Sequence, residues 1–290
     1  MYRVTTRPDF DGLVSAALLS ILEDVDRYRF TEPGIFQHGE GEVLAEDIIT
    51  NLPYRHGCAL WFDHHFSSRV NDVDFRGSWW IAPSATRVIY EYYGGLAEFD
   101  ELIAVTDRID SAQLTRDEIL KPRDHFLVSL TIDGKRPQDE PYWLRLIELL
   151  QQNDLKLLMS DRDVQNQCSE FHAINDEFIL ALTHHSEVSG NILLTDLRGV
   201  WHRESGNRFI PYVLYPDVDI WIKVIDHHSD PEKTRIAVGH SIFKRTSPVN
   251  VGQLLSKYGG GGHRGAGSCR PFRNDTERIL KEIVEFCRHE

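Results

Sequence analysis

The sequence predicts an α/β protein with a parallel-sheet domain, a helical connector and a smaller mixed α/β domain. Three observations point there. In the N-terminal part, short apolar runs alternate with amphipathic helical segments, the pattern of a parallel sheet with helices on both faces. The 290 residues are long for a single core, so two domains are expected. From Gly190 onward the pattern turns to strands separated by turn residues. The expected boundaries are 1–125 for the first domain, 126–188 for the connector and 189–290 for the second domain.

Composition narrows the class. A hydrophobic content of 41% with 10% aromatic residues is that of an ordinary folded globule, which excludes a disordered chain. The net charge of −13 argues against a general duplex-DNA binder, which needs a basic face, but leaves room for a small basic cleft around a phosphate. No apolar run approaches a membrane span, and Met1 to Thr6 pass directly into a strand-like pattern instead of a signal peptide. Cys58, Cys168, Cys269 and Cys287 are scattered and form neither a Cys-x-x-Cys pair nor a disulfide framework, so a reducing cytoplasm is expected.

The elements follow in order. Tyr2 to Thr6 reads as the first strand. Arg7-Pro8-Asp9-Phe10-Asp11-Gly12 is a loop punctuated by proline and glycine, and Leu13 opens an amphipathic helix running to about Asp24. Asp9 and Asp11 stand two apart, a spacing that lets them flank a metal pair; the plainer reading is that Asp11 caps the helix. Further strands are expected over Asp26 to Thr31, around Ile48-Ile49-Thr50-Asn51, and over Ala59 to Asp63. This last run, Trp61-Phe62-Asp63-His64-His65, delivers an acid and two imidazoles to the carboxyl end of a strand, where parallel sheets bind ligands. Imidazole nitrogen with carboxylate oxygen suits manganese or zinc, whereas the bland alternative is a turn with incidental histidines. Ser84 is a fair N-cap for a helix stopped by Gly94-Gly95. In Leu102 to Ala112 an apolar run again ends in acids. Asp107 and Asp110 lie three apart and share a helix face, with Arg108 between them as an ion-pair partner or a phosphate contact.

Helical periodicity fills the connector at Trp143 to Leu150, Asp154 to Met159 and Phe171 to Thr183, with His184-His185 at its solvated end. In the second domain, strands are expected over Ile192 to Thr195, Phe209 to Tyr215, Asp219 to Ile225 and Thr234 to Val238. A second Asp-His-His, Asp226-His227-His228, falls between two of them and reads as a hairpin loop without accompanying paired acids. Val251 to Tyr258 reads as a helix ended by Gly259-Gly260-Gly261-Gly262-His263-Arg264-Gly265. Consecutive glycine amides can form an anion nest, to which His263 and Arg264 add charge-assisted hydrogen bonds; a flexible linker is the alternative.

Together these motifs resemble the DHH phosphoesterase superfamily, whose members include exopolyphosphatase-like proteins and oligoribonucleases. The Arg-Pro-Asp-x-Asp-Gly loop resembles its first motif, Asp63-His64-His65 its name-giving motif, Asp107 its later acid, and the glycine run the Gly-Gly-Gly-His of its C-terminal domain. The resemblance implies a five-stranded parallel sheet carrying a manganese centre, magnesium being an alternative, and an active site in the cleft between two domains. It assigns Asp9, Asp11, His64 and Asp107 to metal, with Asp107 bridging, and sets His65 facing the phosphate. Arg245, Gly260, Gly261, Gly262, His263 and Arg264 are assigned to substrate. The implied reaction is metal-assisted hydrolysis of a small nucleotide, a short single-stranded oligonucleotide or polyphosphate, with no duplex DNA and no membrane partner, and a homodimer admitted. Two positions depart from the pattern. Thr5 stands where a metal-binding histidine is usual, and Asn51 where a bridging aspartate is usual. They favour the alternative of a nucleotide-binding or regulatory protein with a degenerate metal site.

Overall fold

The chain opens with the strand-loop-helix unit on which everything else in its N-terminal half is built. Strand β1 (Tyr2–Thr6) leads through Arg7-Pro8 into helix α1 (Phe10–Leu22), followed by β2 (Val25–Phe30), α2 (Pro33–Gln37), β3 (Asp47–Thr50), β4 (Leu60–Asp63), β5 (Gly77–Trp79), α3 (Ala85–Tyr92) and α4 (Asp100–Asp110). The computed structural model describes residues 1–37, 39, 41–200 and 206–289. The five strands form one all-parallel sheet in the order β2-β1-β3-β4-β5. Strands β3 and β4 are buried at every position, which is why Ile48-Ile49 and Leu60-Trp61-Phe62 read as unbroken apolar runs and not as alternating ones. Helix α1 is buried from Phe10 through Leu19, because it packs against α3 and α4 as well as the sheet; its small residues Gly12, Ser15, Ala16 and Ala17 permit that close packing. The indole of the fully buried Trp61 is satisfied by the Leu52 carbonyl at 2.9 Å.

The register aligns the carboxyl ends of the central strands, with Thr6 opposite Thr50 and Thr50 opposite Phe62. The loops carrying Arg7 to Asp11, Asn51 and Asp63 to His65 therefore leave the sheet along one edge. In this order successive strands are added on one side of β1 and then, from β3, on the other, and the crevice outside that switch point is where open α/β sheets bind ligands.

The chain continues with α5 (Arg116–Leu120), α6 (Asp124–Leu130), α7 (Glu140–Gln151), α8 (Leu155–Ser160) and α9 (Arg162–His184). The segment read as a connector does not stand alone. One compact unit comprises Met1–Leu114 with Pro122–Glu170, and the other Thr115–Lys121 with Phe171–Glu290. Helix α7 packs against α1, and its buried Trp143 meets Phe30 edge to face at 5.2 Å, so its apolar face completes the first core.

The second unit adds β6 (Ser186–Ser189), β7 (Ile192–Asp196), α10 (Ile210–Leu214), β8 (Ile220–Asp226), β9 (Thr234–His240), α11 (Val251–Ser256), β10 (Gly261–Gly262), β11 (Ala266–Cys269) and α12 (Thr276–His289). Its mixed sheet runs β10-β11-β9-β8-β7-β6, with β7 and β8 parallel and the other pairs antiparallel. Ile222, Val224, Ile236 and Val238 pack with Leu254, Leu255 and Ile283 in its core. One expectation is corrected: Phe209 to Tyr215 is not a strand. Ile210–Leu214 is a short helix with Pro211 in its first turn, where proline's missing N–H costs nothing; an apolar run of this length carries no period that separates helix from strand. All four cysteines are free thiols. Among the described residues no helix is long and apolar enough to cross a membrane.

Candidate functional site

The first acidic loop is built by two caps. Asp9 has extended backbone and caps α1, its Oδ1 accepting from the Gly12 amide at 2.9 Å. Gly12 is required here: a Cβ would lie 2.0 Å from the Arg7 carbonyl oxygen. The same Oδ1 accepts from Nδ2 of Asn51, at 2.8 Å, a buried residue whose φ of 56° turns the chain as it leaves β3. The other oxygen of Asp9 faces Arg7 Nη1 at 3.2 Å. Asp11 caps a different helix. Its Oδ1 accepts from the Thr86 amide at 2.9 Å and the Thr86 hydroxyl at 2.6 Å, and its Oδ2 from the Ala85 amide at 2.8 Å, all at the N-terminus of α3. Burial pushes the Asp11 carboxyl up from its ordinary range, while His64 and the Thr86 donors pull it back toward ionisation.

His64 is only 9% exposed. Its Nδ1 lies 3.0 Å from the Ala82 carbonyl, which can only accept, so Nδ1 donates there and, in the neutral ring, Nε2 presents a lone pair. That Nε2 is buried without a hydrogen-bond partner, 3.5 Å from Asp110 Oδ2 and 3.8 Å from Asp11 Oδ2. Donors each about 2.1 Å from a cation stand roughly 3–4 Å apart at ordinary bond angles, so the trio fits a divalent ion. Asp11, His64 and Asp110 offer ligand atoms all within 4.8 Å of one another. Asp63, His64 and His65 also approach this closely; Asp63 Oδ1 is shared by the His64 amide at 2.8 Å and His65 Nδ1 at 2.8 Å, and its Oδ2 is buried without a hydrogen-bond partner. Asp63 therefore orients His65, whose carbonyl is further fixed by the Trp79 indole at 3.0 Å.

The sequence-predicted residues are only partly brought together. Asp11 and His64 meet, and Asp9 lies beside them in its cap. Asp107 does not join them. Its Oδ1 accepts from the Ser84 hydroxyl at 2.6 Å and its Oδ2 from Arg87 Nε at 2.9 Å and Nη2 at 2.6 Å, so one oxygen is held by the guanidinium and the other by the hydroxyl. Asp110, three residues on, takes the place facing His64. The sequence marked both acids on one helix face, and nothing local shows which one Arg87 captures. Thr5 is fully buried and its hydroxyl points to Asp47 Oδ1 at 3.5 Å, an acid that pairs with Arg3 at 2.6 Å.

In the second unit the glycine run is ordered as a hairpin. Gly261 and Gly262 pair with Ser268 and Gly267, and the His263 amide donates to the Ala266 carbonyl at 2.8 Å. The Gly260 amide donates to Leu255 at the end of α11, and the carbonyls of His263 and Arg264 accept from the first amides of that helix, Gly252 at 2.9 Å and Val251 at 3.0 Å. Expected as a nest of convergent amides, the run instead forms an edge strand whose tip exposes His263 and Arg264. Gly262 has φ +147° and would clash through a Cβ with the Ala266 carbonyl at 2.3 Å. Arg245 is exposed, with left-handed backbone at φ 51° and its Nε on the Ile242 carbonyl at 3.0 Å.

No protein-family model matches the chain, and no curated protein matches it. Solved structures do. The chain is similar to a pGpG-specific phosphodiesterase, PggH of Vibrio cholerae, with 34% identity over 100% of this chain and 99% of that chain and a TM-score of 0.84. It shares its fold with an exopolyphosphatase-related protein of Bacteroides fragilis, at 14% identity over 99% of this chain and 92% of that chain, TM-score 0.55. It also shares it with the exonuclease RecJ bound to manganese, at 11% identity over 100% of this chain and 90% of that chain, TM-score 0.53.

Proposed function

Because the chain belongs to the DHH phosphoesterase superfamily, we propose that it is a metal-dependent phosphodiesterase acting on a short linear nucleotide of the class its Vibrio relative hydrolyses. The observation that carries this reading is the buried, unpartnered Nε2 of His64 between Asp110 and Asp11. Asp11, His64 and Asp110 would hold one divalent ion, manganese or magnesium, since one nitrogen and two carboxylates suit either a borderline or a hard cation. When bound, that ion would neutralise charge on the phosphoryl oxygens and activate water for in-line attack. The protein's own groups do the rest. Asp11 is held rigid by three donors on α3, Asp63 fixes the ring of His65, and a protonated His65 can donate to a phosphoryl oxygen. The exposed side chains of Arg245, His263 and Arg264 in the second unit are proposed to contact substrate phosphate.

The test is hydrolysis, with manganese and with magnesium, of pGpG, other linear dinucleotides, longer single strands, cyclic dinucleotides, phosphoadenosine phosphate and polyphosphate. Release of mononucleotides from the linear dinucleotide, lost in His64→Ala, is the expected outcome. A second reading, a nucleotide-binding protein with little turnover, is favoured by one observation: Asn51 sets a neutral amide donor against Asp9 where a carboxylate would add metal affinity. Tight binding of the dinucleotide without product in the presence of either metal would establish it.

A further inference from the structure

Two large apolar side chains are left uncovered beside the histidines that end β4. Phe66 is 70% exposed and Ile81 66%, and among the described residues Met1 alone of the large hydrophobic residues exposes more. The other rings at this edge of the sheet are covered. Trp61 and Phe62 are fully buried, and Trp79 packs on the cluster that contains Trp61, Ile49 and Leu52. Phe66 is not uncovered because its turn stands away from the protein. Ser68 is buried, and Val70 packs on the same cluster as Trp79. The turn is closed by the Ser68 amide on the His65 carbonyl at 3.1 Å and by the Arg69 amide on the Phe66 carbonyl at 3.2 Å. The backbone is therefore held on both sides of a ring that faces solvent.

Neighbouring strand ends define where that ring stands. Asp63 pairs in register with Trp79, whose indole donates to the His65 carbonyl at 3.0 Å, and the Ala82 carbonyl lies 3.0 Å from His64 Nδ1. The chain leaving β4 and the chain leaving β5 thus pass the two histidines together. Phe66 directly follows His65, and Ile81 directly precedes Ala82. One exposed apolar residue on a protein surface is ordinary; two that flank the imidazole facing a phosphate offer an apolar surface to whatever that phosphate carries. A nucleobase has a flat π-face that stacks on an aromatic ring, whereas a phosphate gains nothing from one. We propose that Phe66, with Ile81 from the adjacent strand end, is the surface on which one nucleobase of the substrate stacks while His65 faces the adjoining phosphate. This rests on the phosphodiesterase reading above and narrows it: the substrate carries a base next to the phosphate that is cleaved, which polyphosphate lacks. Because every base has such a face, the ring adds affinity without choosing among bases.

The test uses Phe66→Ala, Phe66→Leu, Phe66→Trp and Ile81→Ser in the full chain. The substrates are pGpG, pApA and two pGpG analogues, each with one base replaced by hydrogen. Manganese per chain should stay at the wild-type level in all four variants. Phe66→Ala should lower kcat/KM about tenfold or more on pGpG, and equally on pApA. Phe66→Leu should lose nearly as much, because it is apolar but has no ring, whereas Phe66→Trp should hold the wild-type value. Ile81→Ser should show a smaller loss than Phe66→Ala. On one of the two analogues wild type should already show the loss, and Phe66→Ala should add nothing to it. Wild-type kcat/KM in Phe66→Ala overturns the proposal, as does a full further loss on both analogues. Loss of manganese from Phe66→Ala also overturns it, since the ring would then support the turn that carries the histidines. Failure of the functional reading looks different: wild type would hydrolyse none of these substrates. Calorimetry with guanosine monophosphate and with inorganic phosphate then decides the role of Phe66. Weaker nucleotide binding at unchanged phosphate binding in Phe66→Ala supports the stacking surface, and unchanged binding of both overturns it.

Discussion

The chain contains Asp-His-His twice, and the two copies share nothing but spelling. Asp63 and His64 are buried at the end of β4, in the middle of a parallel sheet, and the loop ends of β1 and β3 reach the same edge. Asp226 ends β8 in an antiparallel pair with β9, so the chain turns straight back after the histidines, and the parallel neighbour β7 ends in Asp196, whose carboxylate pairs with Arg198. The carboxylate of Asp226 is consumed by the Gly199 amide at 2.6 Å and Arg273 at 2.8 Å, and the rings of His227 and His228 stack at 4.8 Å. Among the described residues the second copy joins no group of ligand geometry. What sets the first copy apart is a buried Nε2 without a hydrogen-bond partner and acids arriving from elsewhere in the chain, not the tripeptide itself.

The most direct way to break this comparison is to truncate each copy. His64→Ala should abolish manganese binding and lower turnover by at least about 10³-fold, whereas His227→Ala should leave both unchanged. Equal losses, read by calorimetry and product formation, would mean that the second copy belongs to the site.

Next in size is the contrast between Asp110 and Asp107. Asp110→Asn should weaken manganese about 10–100-fold or more, with little change in stability, because it removes a ligand charge. Asp107→Asn should do the reverse: the partly buried pair with Arg87 and Ser84 is broken, at about 1–3 kcal/mol in urea unfolding, while metal affinity holds. Swapped outcomes would return Asp107 to the metal.

A smaller effect sharpens the role of Asp63. Asp63→Asn leaves His65 without its charged partner and should cost about 10-fold to 100-fold in turnover at unchanged metal stoichiometry. Loss of the metal itself would instead make Asp63 a ligand.

The smallest effect lies in the second copy. Burial, then the charges of His228 and Arg270, lower the pKa of His227 below its ordinary value. Between that depressed value and the ordinary one, near 6.5, the unfolded chain binds more protons than the folded one. Stability therefore rises with pH across that window and is lost as pH falls through it. His227→Gln should flatten this dependence, by about 1 °C in melting temperature between acidic and neutral pH. A steeper dependence in the variant would show the sign to be wrong.

Much of this protein is written locally. Apolar runs ending in acids and histidines mark β1, β3 and β4 and the loops that follow them, and Ser84 and Gly94-Gly95 bracket α3, because period and capping depend on residues a few positions apart. Fold class and the Asp11–His64 pairing follow from that, since a parallel sheet sends its strand ends to one edge. Other features depend on partners far along the chain. Arg87 takes Asp107, 20 residues away, and Asp110 is the acid that faces His64. Asn51 crosses 42 residues to donate to Asp9. Glu32 arrives from another strand end to steady Arg7. The glycines become an edge strand because β11 lies alongside them, and the helix Ile210–Leu214 is not legible in the sequence because a run apolar throughout carries no period of its own. Local pattern determines which residues come to the edge of the sheet; charge pairing among elements distant in sequence decides which of them face one another there.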